Sequence, residues 1–539
     1  MLRPSPAFFT SGLLWLATLA LTAAEPDLLA QGRLIYLQHC VICHQAAGQG
    51  SPGTFPPLAK SDYLAADRKN GILSIVQGLS GPITVNGQNY NGAMPPFVLD
   101  DVQVAAVLTY VRSSWGNTGD AITADEVRDV RKKSRFPTLE KLKAAAAYPP
   151  LPAAPAGLAI REVARFSESP VRIASDGRGK VLYVLASSGN VWRLETAIGQ
   201  LKQIISSLDY AEPKRGEIGT IGLTLDLSNR LYVVLDRRLE TAPFMTNEVT
   251  IYQSTTTTNG EPAGLTPFFR VNYPWGIGPF NHGVGHIAQG PDGLIYVASG
   301  SRTDANEEGK DARFFKGGEV GLTSSIWQVD PDAKRPPGVF ARGLRNPYGF
   351  CWNDRGEMFA TDNGPDADAP EELNFIEQDK HYGFPYQFSN WTNKPYAHTP
   401  DAPAGLTFTR PIANLGPDGG FEGKPLYTFG PHTSPAGLVY LGKEFPESLR
   451  DSFLVARFGN LIRAPKDIGF DLLQMRLKKN AAGVYEATTH ALLPHLGRPI
   501  DVHLGAGGKI FIAEYTRLLD NNSGLPMLPG RILELSVKK

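Results

Sequence analysis

The chain has 539 residues, with 53 basic and 53 acidic side chains and a formal net charge of zero. That length exceeds one ordinary domain, so two or three units are expected. The charge balance leaves no footprint for nucleic-acid or polyanion binding, and the 56 Gly and 43 Pro favour turn-rich β architecture over a helix bundle.

Residues 1–24, MLRPSPAFFTSGLLWLATLALTAA, open with Arg3, continue through an apolar run from Phe8 to Leu21, and close on the small residues Thr22, Ala23 and Ala24. This is the outline of a secretory signal peptide cleaved before Glu25. The alternative, an uncleaved anchor, is disfavoured because the run is short for a membrane span. No later segment reads as a span, so a periplasmic or secreted protein with no integral membrane span after cleavage is expected.

Residues 40–44 read CVICH, which is C-x-x-C-H, the pattern of covalent haem attachment. Cys40 and Cys43 would add to the haem vinyl groups and His44 would reach the iron. The alternative is a chance pair or half a zinc site, but zinc needs further Cys/His ligands nearby and none follow. A helix over 28–39 delivers this turn. A second helix over 100–115 is expected, with Val104, Val107, Leu108 and Val111 on one face. Between them NGAMPPF places Met94, 50 residues after His44, in a loop stiffened by Pro95 and Pro96. His44 with Met94 is the axial pair that suits electron transfer.

Residues 25–118 thus resemble a class I cytochrome c domain, a small all-α fold. The resemblance implies haem-iron ligation by His44 and Met94, and a Pro56 or Pro57 carbonyl orienting the His44 ring. A charged, then Ala/Pro-rich linker is expected over 119–156. Cys351, in YGFCW, reads as a buried core thiol.

From residue 157 onward a polar turn followed by an alternating strand recurs. The strands are 176–186, 228–236, 291–300, 353–362, 448–458 and 505–515, with second strands at 189–195, 248–253, 324–330, 460–465 and 530–536. Six units of about 60 residues predict an all-β six-bladed propeller over 157–539. A pair of β-sandwiches would not explain six similar units.

Three strings sit on this scaffold: NHGVGHIAQGPDG (281–293), GLRNPYGF (343–350) and TDNGPDADAPEELNFIEQDKHYGFP (361–385). Together they resemble the soluble quinoprotein sugar dehydrogenases of the glucose, sorbosone and pyranose type, which use pyrroloquinoline quinone (PQQ). The resemblance implies that His282 is the base taking a sugar hydroxyl proton while Arg345, Asn346 and Gly349 carry the family's quinone-binding string. It further implies calcium on the backbone oxygens of Gly364 and Pro365, within a segment continuing through Glu371, Glu372 and Asn374. Arg498, Arg457, His432 and Glu217 fall at or near further cofactor positions, Glu217 where the family carries Gln. The bland alternatives are strand-end ion pairs for the arginines and simple loop packing for His282. His286 reads as structural.

The chain departs from the pattern at Asn281, at Asn363 in place of a His, in two extra residues before Glu371, and in a single arginine at the last-blade site. The expected function is an exported quinohaemoprotein that oxidises an aldose or related sugar and passes electrons through haem c to another cytochrome or an oxidase. The alternatives are a calcium-dependent lactonase-like hydrolase or a non-catalytic propeller beside an electron carrier.

Overall fold

Helix α1 (Glu25–His39) crosses helix α5 (Asp101–Ser113) so closely that a Cβ on Gly32 would lie 2.0 Å from the Ala106 carbonyl oxygen. Asp100 starts α5: its side chain accepts from the Gln103 N–H while the Gln103 side chain accepts from the Asp100 N–H, satisfying two otherwise orphaned donors. Val104, Val107, Leu108 and Val111, spaced for one helical face, are buried with Ile35 and Tyr36 of α1. Between the two lie α2 (Val41–His44), α3 (Asp62–Ala66) and α4 (Arg68–Val76). Two short ribbons follow, β1 (Leu79–Ser80) with β4 (Ala93–Met94) and β2 (Ile83–Val85) with β3 (Gln88–Tyr90). The computed structural model describes residues 25–51, 55–94, 96–97, 99–133, 150–175, 180–212, 215–257, 260–277, 281–309, 312–332, 334–389, 394–418, 426–460, 468–516 and 529–538. The signal peptide expected over 1–24 lies outside them, as does most of the strand expected over 460–465. Among the described residues no helix is long and apolar enough to cross a membrane.

The segment expected to begin the linker instead continues the first domain. Helix α6 (Ala124–Lys133) buries Val127 in the core of the first domain, with Ile122 just ahead of it. Arg131 pairs with Asp101 at 2.9 Å and Glu126 with Arg68 at 2.9 Å. The high charge that suggested a solvated linker lies on the outer face of this helix, and one buried valine fixes the inner face.

The second domain has six sheets around an axis. Blade one is β6 (Pro170–Ser175), β7 (Val181–Ala186), β8 (Val191–Glu195) and β9 (Gln200–Ile205). Blade two is β10 (Glu217–Leu225), β11 (Leu231–Leu239), β12 (Thr246–Thr256) and β13 (Pro262–Pro274). Blade three is β14 (Val284–Gln289), β15 (Ile295–Ser299), β16 (Ser325–Val329) and β17 (Gly338–Arg342). Blade four has three strands, β18 (Phe350–Trp352), β19 (Met358–Asp362) and β20 (Glu372–Ile376). Blade five, β23 (Pro435–Leu441) to β24 (Ser452–Arg457), β25 (Asp471–Lys479) and β26 (Tyr485–Leu493), carries β21 (Ala413–Pro417) and β22 (Leu426–Tyr427) on its outer edge. Blade six is β27 (Pro499–Gly505), β28 (Lys509–Thr516), β29 (Pro529–Val537) and β5 (Leu158–Arg165).

The chain's first propeller strand therefore completes its last blade: β5 runs antiparallel to β29, from Leu158 opposite Val537 to Arg165 opposite Arg531. This closes the ring and removes an open sheet edge. Leu158, 3 % exposed, packs with Leu533, Leu535 and Val502. Leu158→Ala should cost about 2–4 kcal/mol, read as a lower urea midpoint of the propeller transition. An unchanged midpoint would mean that closure does not depend on this strand.

Candidate functional site

Two sites emerge, one in each domain. In the first, the end of α1 and the short α2 place Cys40 and His44 on the wall of an apolar cavity, which Pro56, Leu108 and Met94 also line. The His44 N–H bonds the Cys40 carbonyl at 2.9 Å, and Tyr36 Oη donates to the Gln45 carbonyl at 2.5 Å. His44 Nδ1 lies 2.9 Å from the Pro56 carbonyl oxygen. A carbonyl only accepts, so Nδ1 carries the proton and Nε2 the lone pair. Burial pulls the His44 pKa down, which keeps the ring neutral. Met94 is presented by β4, in register with Leu79. Gly78, at φ +74°, lets the two strands approach: a Cβ there would be 2.5 Å from the Met94 carbonyl oxygen. Cys43 lies at the boundary with the propeller, its thiol pushed up to about 11 by burial and drawn partly back by Arg498.

The second site follows from strand direction. Glu217 begins β10, His282 precedes β14, Arg345 and Asn346 precede β18, His432 precedes β23 and Arg498 precedes β27. Each of these strands is the innermost of its blade, and all run the same way along the channel. Their N-terminal ends therefore form one ring at one mouth.

His282 and the arginine–asparagine pair meet across Gly300 and Ser301. A Cβ on Gly300 would lie 2.4 Å from His282 Cβ and 3.3 Å from Asn346 Oδ1, so only glycine fits between them. The Ser301 N–H bonds the Arg345 carbonyl at 2.6 Å, and the His282 N–H bonds the Ser301 carbonyl at 3.0 Å. His282 Nδ1 is 3.1 Å from Ser301 Oγ, which itself donates to the Thr303 carbonyl at 2.7 Å. The hydroxyl proton being committed there, Nδ1 donates to Ser301 Oγ and Nε2 holds the lone pair.

Arg345 is 3 % exposed. Its Nη2 pairs with Asp304 Oδ1 at 2.5 Å, Nε donates to the Asp304 carbonyl at 3.0 Å, and Nη1 to the Asn363 carbonyl at 3.2 Å. It thus links the loop carrying Gly364 and Pro365 to blade three. Arg498, 1 % exposed, is held between Phe458 and Phe470 with its guanidinium carbon 5.0 and 4.7 Å from the ring centroids.

Three expected cofactor contacts look elsewhere. Arg457 is the inner partner of a buried ion pair with Asp471, Nε to Oδ1 at 2.7 Å and Nη2 to Oδ2, because the strand register sets the two residues opposite each other. His432 turns to Asp368, Nε2 to Oδ1 at 2.6 Å. Glu217 lies 3.4 Å from Arg238 and close to Arg33 of the first domain; both its carboxylate oxygens are buried and unbonded. His286 packs edge-on to Phe350, with centroids 4.4 Å apart. Around Gly364 and Pro365, Asn363 Oδ1 is buried without a partner. Among the described residues no three His, Cys, Asp or Glu side chains gather as a metal cluster.

The supporting carboxylates were not singled out from the sequence. Asp362 accepts from the N–H groups of Arg345 (2.9 Å) and Asn346 (2.5 Å), fixing that turn. Asp236 accepts from the Val284 N–H at 3.0 Å and from Asn247 at 2.8 Å, holding the entry to β14 behind His282. A signal was present: YVVLD and MFATD both carry an Asp after an apolar run in the second strand of their blade. Arg172, fully buried, reaches Asp501, Ile221 and Tyr348 from β6 and fills the channel between four blades.

These features define a sugar-dehydrogenase-type propeller joined to a cytochrome c domain. The chain belongs to the glucose/sorbosone dehydrogenase family, whose sequence model matches residues 188–518, and residues 29–115 match the cytochrome c family. The first domain is 42 % identical over 118 residues to cytochrome c-552 of Thermus thermophilus, covering 20 % of this chain and 89 % of that protein. Quinoprotein glucose dehydrogenase B of Acinetobacter calcoaceticus is 22 % identical over 249 residues, 40 % of this chain and 48 % of that one. The solved PQQ-bound aldose sugar dehydrogenase of Streptomyces coelicolor overlays with a TM-score of 0.48 at 21 % identity, covering 72 % of this chain and 100 % of that one.

Burial pushes the Asp236 carboxyl up to about 7 from an ordinary 3.8, against the pull of Asn247 and Val284. A carboxyl whose folded pKa is raised contributes stability that is complete below about 3.8 and is lost as pH climbs through 7. Asp236→Asn keeps an acceptor oxygen and removes the titration. Its urea midpoint should fall less steeply than the parent's between pH 4 and 7; parallel slopes would show that Asp236 is ionised at no cost.

Proposed function

We propose that the chain is an exported quinohaemoprotein that oxidises the C1 hydroxyl of an aldose, or a related sugar aldehyde, with PQQ at the propeller mouth and haem c in the first domain. The observation that carries this reading is the His282–Ser301–Thr303 relay. It sets the proton on Nδ1 and leaves Nε2 as the basic atom at the mouth, the state a general base needs to take a hydroxyl proton. Membership of the glucose/sorbosone dehydrogenase family supports the substrate class.

The residues at the mouth suit an anionic, carbonyl-rich cofactor. Arg498 offers a buried guanidinium on aromatic faces. Asn346 offers an amide beside His282, and Arg345 a cation clamped by Asp304. Burial pushes the Glu217 carboxyl up to about 8, against Arg238 and Arg33, and with no hydrogen bond to either of its oxygens it lies outside this set. Arg457 and His432 are committed to Asp471 and Asp368 and are not part of this set. Calcium would be held by the carbonyls of Gly364 and Pro365 beside the unpartnered Asn363 Oδ1, an all-oxygen set of the kind calcium takes. When bound, PQQ supplies the two-electron acceptor for the hydride leaving C1. In the first domain His44 Nε2 and the Met94 thioether would hold the iron, with Cys40 and Cys43 as the thioether anchors. Haem c supplies a one-electron acceptor, from which an external cytochrome or oxidase draws current.

Reconstitution with PQQ and calcium, followed by a panel of aldoses with a dye acceptor, tests the reading. Sugar-dependent dye reduction that is lost with a chelator and regained with calcium is expected. No turnover with any aldose would sink it. His282→Asn should lower kcat by roughly 10²–10⁴-fold with PQQ still bound, and Ser301→Ala should give a smaller loss with a displaced pH profile. Met94→His should leave the haem attached and lower its reduction potential in a potentiometric titration; an unchanged potential would remove Met94 from the iron.

A further inference from the structure

One stripe of the first domain meets the propeller mouth. Arg33, Leu37 and Val41 follow one another at four-residue spacing down α1 and into α2, so they share a side. Leu37, 5 % exposed, belongs to the same apolar cluster as Phe458, Ile500 and Tyr515 of blades five and six, and Val41 packs against that cluster. Arg33, 6 % exposed, feels the charge of Tyr110 of its own domain, and of Glu217 at the start of β10 and Arg237 of the propeller. Its Nη2 and both Glu217 oxygens are buried without hydrogen bonds. Cys43 lies in the field of Arg498, and Tyr515 in that of Cys40 and Cys43. A leucine exposed on an isolated cytochrome would gain nothing from its place on this stripe; against the mouth it is removed from water.

We propose that the Arg33–Leu37–Val41 stripe is a docking surface whose partner is the mouth of the chain's own propeller, and that electrons cross there, beside Cys43 and Arg498, with the cytochrome domain seated. The proposal rests on the quinohaemoprotein reading for the direction of electron flow; the seating itself does not.

Leu37→Asp places a charge in the apolar contact, and Arg33→Gln is a milder change on the same stripe. Both are made in the full-length protein with haem attached, confirmed by its absorbance. Small-angle X-ray scattering should give a larger radius of gyration for Leu37→Asp than for the parent. Stopped-flow haem reduction by sugar should slow roughly tenfold or more, less for Arg33→Gln, while dye-linked sugar oxidation is retained. An unchanged radius of gyration in both variants overturns the docking surface. An expanded variant whose haem is reduced at the parental rate overturns the crossing point. If the parent oxidises no sugar with the dye, the sugar-dehydrogenase reading has failed, and the scattering measurement alone decides the seating.

Discussion

Chain direction is the constraint on which the rest depends. Within each blade successive strands run antiparallel, and each blade begins at the axis, so every innermost strand enters the channel from the same side. Six separate stretches of chain, spread from Pro170 to Pro499, therefore deliver their leading residues to one ring. His282 and Asn346 are neighbours in that ring, and Arg498 stands farther round it, because of where they stand before β14, β18 and β27. The closure by β5 beside β29 holds the ring to a single circumference, so the spacing around the mouth is set by packing rather than by the loops.

The leading turns need support because they carry polar main-chain groups into a dry region, where an unpaired N–H is costly. Buried carboxylates on the inner strands of the blades answer this need. Asp362 takes two N–H groups of the Arg345 turn and Asp236 that of Val284; Asp501, on innermost strand β27, takes that of Ile173. Desolvation opposes their charge, so these carboxyls sit in tension between hydrogen bonds that favour the anion and surroundings that do not. Arg172 fills the axis beneath them, making the mouth the floor of a cup rather than the entrance of a pore.

How much of this could be read from the residues depends on the strand. The expected strands at 228–236, 353–362 and 505–515 correspond to β11, β19 and β28, and those at 248–253 and 530–536 to β12 and β29. These are the second and third strands of blades, buried on both sides, so they spell continuous apolar runs such as LYVVL and IFIA. The innermost strands β10, β14 and β18 were missed as strands because glycines and site residues interrupt them, and β9 and β13 because the blade rim is polar. The CVICH turn and Met94 were legible since covalent chemistry leaves little choice of residue or spacing. Arg457 misled because a strand-end arginine looks the same whether it faces a ligand or, as here, a carboxylate across the ladder. Helix α6 misled because ten mostly charged residues hide one fully buried valine.

That helix has a further effect. By binding Lys133 to the cytochrome body, it leaves only the 24 residues 134–157 between the two folded parts, whatever path they take. Even drawn taut, such a span cannot exceed roughly 85 Å. Each haem is thus leashed to its own propeller at an effective concentration on the order of millimolar. A freely diffusing redox protein would have to be abundant to compete for the same mouth. On the proposed reading the molecule would carry its own first acceptor, and extreme dilution would not part the two.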